Sequence, residues 1–139
     1  MSIESEFTLN ELNQIVTANF SESDLDGASI ERLGQLLPYR VHPHTLFASP
    51  PTYWDDLKQE FRLLICTKDR KYSQLRKALA KNADKSQMLL VSTIAAAMGH
   101  SLGIAAGILT PFCALCLIAV LSMGREAFCK TSRLSIPVS

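Results

Sequence analysis

Apolar residues near the N-terminus recur at helical spacing. In "TLNELNQIVTANF", Leu9, Leu12, Ile15, Val16 and Phe20 fall on one face of a helix. Thr8, with Glu11 three residues on, forms the reciprocal capping pattern that starts such a helix. An acidic, turn-like "SESDLDGAS" follows, then a short helix with Ile30, Leu33 and Leu37 on one side. "PYRVHPHTLFASPP" carries four prolines and predicts an irregular or extended connector over residues 38–51. Thr52 is placed to cap a third helix, whose first turn holds Asp55 and Asp56 where the helix dipole favours negative charge. Trp54, Leu57, Phe61 and Leu64 make its apolar stripe. A fourth helix restarts at Thr67, with Tyr72, Leu75 and Leu79 inward and lysines outward. Strand-like alternation and internal repeats are missing, so the predicted class is all-α.

The pattern changes at Ser86. From there through Gly124, 39 residues pass without an Asp, Glu, Lys or Arg. One straight helix of that length would measure about 58 Å, roughly twice the hydrocarbon thickness of a bilayer. A break is therefore expected. "GILTP", with Gly107, Thr110 and Pro111, is the sequence's natural place for it. The expected result is a hydrophobic helical hairpin over 87–124, with halves near Met88–Ala106 and Leu109–Met123. The second half is the more apolar: between Ile104 and Leu121 only Gly107, Thr110 and Pro111 are not apolar. The first half is rich in Ala and Gly and contains Ser92, Thr93, His100 and Ser101.

Charge divides the chain in the same places. An acidic segment, 1–37, carries seven acids against Arg32 alone. Residues 52–86 run from an amphipathic helix into the basic set Lys68, Arg70, Lys71, Arg76, Lys77, Lys81 and Lys85. The uncharged hairpin comes next, and 125–139 is a polar tail. The net charge of +1 excludes a global field that would attract nucleic acid, and no nucleic-acid partner is expected. Met1 is followed by Glu4 and Glu6, which is not a signal-peptide pattern. The four cysteines do not read as a disulfide framework, and a cytosolic chain would keep them reduced.

Two environments suit the hairpin. In lipid, the lack of a polar stripe from Leu109 to Leu121 needs no cover, and basic residues flank both ends of the run. Ala95, Gly99, Gly103 and Gly107 then form a small-residue ridge for helix–helix or subunit packing. His100 becomes a polar site inside the membrane, and the basic segment meets anionic headgroups. In a soluble bundle, the hairpin is the core and the earlier amphipathic helices enclose it. Each half is a little short of the roughly 20 residues of a full span, which favours this second environment.

Chemistry has little to stand on. His42 and His44, with Asp55 and Asp56, lack further ligands at zinc spacing, so no metal or other cofactor is expected. Cys113 and Cys116 have redox-motif spacing but sit in an apolar helix. Cys66 and Cys129 bracket the hairpin, either packing together or carrying a fatty acyl group. Nucleophile–base pairs and phosphate loops are missing, which points away from an enzyme. Two functions follow. The first is a membrane protein with cytoplasmic termini and the bilayer as its partner, self-associating through the ridge as a pore-forming or depolarising effector. A protein partner on the acidic helices would complete it. The alternative is a soluble, cytoplasmic, all-helical adaptor.

Overall fold

The computed structural model describes residues 3–138; Met1, Ser2 and Ser139, at the ends of the acidic segment and the polar tail, lie outside the described residues. The fold is all-α. After a 3-10 turn at Ile3–Glu6 come α1 (Leu9–Asn19), α2 (Glu22–Leu25), α3 (Ile30–Gly34), α4 (Leu37–Val41) and α5 (Tyr53–Cys66). A second 3-10 turn, Arg70–Tyr72, leads into α6 (Ser73–Lys81), and α7 (Gln87–Leu102), α8 (Ala106–Met123) and α9 (Arg125–Lys130) complete the set.

Side-chain caps start α1, α2, α3 and α7. Thr8, Ser21, Ser29 and Ser86 each accept a hydrogen bond from the backbone N–H three residues on, satisfying a donor that the first turn leaves open. Thr52 behaves differently: its hydroxyl donates to the Asp56 carboxylate at 3.4 Å instead of capping an amide. The proline-rich connector also contains more order than expected. α4 runs into it because Pro38 falls in the helix's first turn, where a missing N–H costs nothing.

α8 is the centre of the molecule. Every residue from Leu109 through Val120 is buried. A helix without a polar stripe is stable in water only if other elements cover it all round, and α1, α3, α4, α5, α7 and α9 pack on it. Phe112 stands edge-on to Phe20 at 5.5 Å and to Trp54 at 6.5 Å between ring centroids. One continuous core extends from Phe7 to Leu134. The amphipathic stripes supply it through Leu12, Ile15, Val16, Trp54, Leu57, Phe61, Leu64, Leu75 and Leu79. Leu9, expected on the buried face of α1, is 42% exposed.

The hairpin turns earlier than expected. α7 ends at Leu102, and Gly103, at φ +71°, closes it with its N–H donating to the Gly99 carbonyl at 2.8 Å. Only glycine enters this left-handed conformation without a steric cost, so it is a firmer stop than a proline near a helix start. Gly107, Thr110 and Pro111 lie inside the first turns of α8 and do not break the chain. Pro111 removes the amide that would bond the carbonyl of Gly107, an exposed residue, and the Thr110 hydroxyl donates to the Ala106 carbonyl at 2.9 Å.

Cys66 and Cys129 are joined by a disulfide with Cα atoms 5.8 Å apart, correcting the expectation of four reduced thiols and of an acyl site. Of the two roles open to them, packing together is the one formed, across a sequence separation of 63 residues. α9 folds back on the end of α5, and that brings them together.

Candidate functional site

The most fully built polar cluster lies where α3, α5 and the C-terminal segment meet. Ser29 starts α3 and sets Glu31 facing inward, 3% exposed; Lys58, on the buried face of α5, is 2% exposed. The Lys58 ammonium donates to both Glu31 oxygens at 2.9 and 3.0 Å, to the Ser132 carbonyl at 2.6 Å, and reaches Asp55 at 3.3 Å. Glu31 also accepts from the Leu134 amide at 2.8 Å and from Trp54 Nε1 at 3.1 Å. Burial works to raise the Glu31 pKa. The Leu134 amide and the Lys58 cation outweigh that effect and hold the carboxyl below its ordinary value. Every donor of Lys58 is used, so the pair binds the chain's own backbone and has nothing left for a ligand.

The chain after α8 forms a strap over this pair. Phe128 and Leu134 are both fully buried. Arg62 Nη2 donates to the Thr131 carbonyl at 2.6 Å, while Ile30 N and Glu31 N donate to the Ile136 and Leu134 carbonyls at 2.9 and 2.7 Å. Sequence reasoning passed over Glu31, Lys58 and the tail. The available signal was a lysine on the apolar side of an amphipathic helix, one turn after Trp54.

The residues proposed for helix packing do not form one ridge. Ala95 and Gly99 are buried inside the chain, and a Cβ on Gly99 would meet the Ile104 carbonyl oxygen at 2.3 Å. Gly103 is in the turn, and Gly107 is an exposed residue of the next helix. The pattern of four residues was carried across a break, and a helical face cannot continue through one.

His100 is exposed on α7, where it borders a groove of about 470 Å³ between α6 and α7 with Lys71, Tyr72, Leu75, Thr93 and Ser101. The Tyr72 hydroxyl donates to Glu60 and lies 3.2 Å from Ser101 Oγ. Burial and the Glu60 carboxylate push its pKa far up, so the phenol keeps its proton.

The basic set is not one free surface. Arg76 donates to the carbonyls of Leu63, Leu64, Thr67 and Asp69, closing the C-terminal end of α5. Lys71 pairs with Glu60. Lys68, Arg70, Lys77, Lys81 and Lys85 are exposed, but the acidic turn Ile3–Glu6 packs beside α6.

His42 Nε2 lies 3.1 Å from the Tyr53 hydroxyl, Asp55 pairs with Lys58 and Asp56 with Thr52. Among the described residues no group of three or more His, Cys, Asp or Glu is placed so that it could hold a metal ion. Cys113 and Cys116 are buried, and loss of solvation drives both thiol pKa values up, which keeps them protonated and unreactive while covered.

Fold and cluster together define an all-α domain wrapped around one apolar helix and closed by a C-terminal strap. No family model, no curated protein and no solved structure matches the chain.

Proposed function

We propose that the chain is a soluble, all-helical interaction protein whose hydrophobic hairpin is its own core and whose outer helices meet other proteins. The burial of every residue from Leu109 through Val120 carries this reading. In water, that arrangement removes the apolar helix from solvent without any lipid. The exposed acidic side chains Glu11, Glu22 and Asp26, on and after α1 and α2, are the groups proposed to meet a basic protein partner. No catalytic role and no nucleic-acid role enters the proposal. Ultracentrifugation without detergent tests it. The protein should stay in the supernatant and sediment as one species; a pellet that resists carbonate extraction overturns the proposal.

One observation favours a second reading. Ala106–Met123 has the length and composition to cross a membrane, although the core helix of a soluble protein passes the same test. Insertion of the hairpin, with pore formation or depolarisation, would require the covering helices to come away first. In this reading, expression lowers membrane potential and Phe112→Asp abolishes the effect. An unchanged potential with the native chain rejects it.

A further inference from the structure

The strap is attached in two chemically different ways. Residues 131–138 are held by hydrogen bonds to Arg62, Lys58, Glu31 and Ile30 and by the buried Leu134 side chain. These contacts are all non-covalent and can be released one at a time. α9 is held by the buried Phe128 and by the covalent bond from Cys129 to Cys66. Its chain is anchored at both ends, at α8 on one side and at α5 on the other. While the disulfide stands, release of residues 131–138 stops at Cys129.

Beneath the strap lies the seam between α5 and α8. Lys58 and Arg62, on α5, hold the Ser132 and Thr131 carbonyls, and Cys116 is buried on α8, the helix on which α5 and α9 both pack. Gly124, at φ +89°, separates α8 from α9 and is a ready hinge. α9 has six residues, too few to persist as an isolated helix once lifted. Cys66 and Cys129 are both half-buried, unlike Cys113 and Cys116, which are fully covered.

We propose that Cys66–Cys129 is a redox latch: its reduction by a cellular dithiol turns the C-terminal strap from one that peels only up to Cys129 into one that lifts whole from Gly124, uncovering the apolar seam of α5 and α8. One thiolate of the reductant attacks a sulfur of the pair, breaking the S–S bond and forming a mixed disulfide. Its second thiol then displaces the remaining cysteine. Two electrons and two protons pass to Cys66 and Cys129, and the reductant leaves as its own disulfide. The latch depends on the packing of the strap and holds whether the seam, once bare, meets a protein or a membrane.

Hydrogen exchange on the full chain tests it, comparing the oxidised protein, the protein reduced with a phosphine, and the double variant Cys66→Ser/Cys129→Ser. The reporters are the Phe128 amide, bonded to the Gly124 carbonyl at 2.9 Å, the Leu134 amide on Glu31, and core amides of α8. On reduction, Phe128 should speed up at least about tenfold more than the α8 core, with Leu134 changing less than about twofold, because local opening and global unfolding expose different amides. Equal acceleration of Phe128 and the α8 core would mean that the disulfide merely staples the unfolded chain, and the latch fails. No acceleration at Phe128 also rejects it.

The double variant adds a readout free of reductant. Cys113 and Cys116 are the free thiols in both the oxidised protein and the variant. Maleimide should label Cys116 at least about tenfold faster in the variant, as expected for a thiol exposed by local opening. An unchanged rate overturns the proposal. If the variant does not fold, the exchange comparison on the reduced native sequence decides alone.

Discussion

α7 and α8 are neighbours in sequence, similar in length and equally free of charge, yet they live in different surroundings. α8 is covered on every side from Leu109 to Val120. α7 turns Leu90, Val91, Ile94, Ala95 and Met98 inward and leaves Met88 and Leu89 about half exposed, with Ala96 and His100 beside solvent. The difference lies in what each carries besides the missing charges. Ser92, Thr93, His100 and Ser101 give α7 a face that water tolerates, whereas α8 has no such face. Lack of charge marks a helix as close to apolar material. Only the presence or absence of a polar stripe tells how many sides must be covered.

The contrast can be broken most forcefully at Phe112. Phe112→Ala should cost about 3–5 kcal/mol in urea unfolding, since a ring packed against Phe20 and Trp54 leaves a cavity that the enclosing helices cannot fill. A cost below about 1 kcal/mol, within the range of surface changes, would mean that α8 is not packed as described.

Next comes the pair that ties α3 and α5 over α8. Glu31→Ala strands a buried ammonium and should cost about 3 kcal/mol, near the lower end for a broken buried pair. Acid probes the same contact. The Glu31 carboxyl is held below its ordinary value, so its contribution is fully present above the unfolded pKa of about 4.3 and is lost as pH falls through the lower folded value. The difference in melting temperature between native chain and variant should therefore shrink on acidification below that point. A difference that stays constant down to strongly acidic pH would remove the pair from the account.

A smaller effect is expected in the turn. Gly103→Ala places a Cβ at φ +71° and should cost about 1 kcal/mol, although nothing lies within 4 Å of the added atom. The outer face of α7 should respond least. Ala96→Lys should shift stability by no more than about 0.5 kcal/mol and leave the protein in the supernatant. Loss of an otherwise membrane-bound pool in this variant would show that the face meets lipid.

Much of the helical arrangement was legible beforehand. Capping at Thr8, the stripes through Leu12, Val16, Trp54 and Phe61, and the greater apolar character of the second half of the hairpin are local patterns that the chain carries in its spacing. The turn was not read correctly. A proline in a helix's first turns and a glycine at its end look alike as breakers until the backbone conformation distinguishes them. The four-residue run of small side chains misled for the same reason. Glu31 and Lys58 went unremarked because, as isolated letters, they resemble solvated surface charges. Their burial depends on the Leu134 amide and the Ser132 carbonyl, about a hundred and about seventy positions away.

By itself, the order of residues determined an all-helical chain with one long uncharged run, because helix periodicity and caps act over a few neighbours. Tertiary structure alone decided what surrounds that run, where it turns, and which of their two open roles Cys66 and Cys129 take. An apolar helix has nearly the same tendency to leave water for lipid as for a protein interior. The choice is made by whichever partner surfaces can close around it, and those surfaces come from distant parts of the chain.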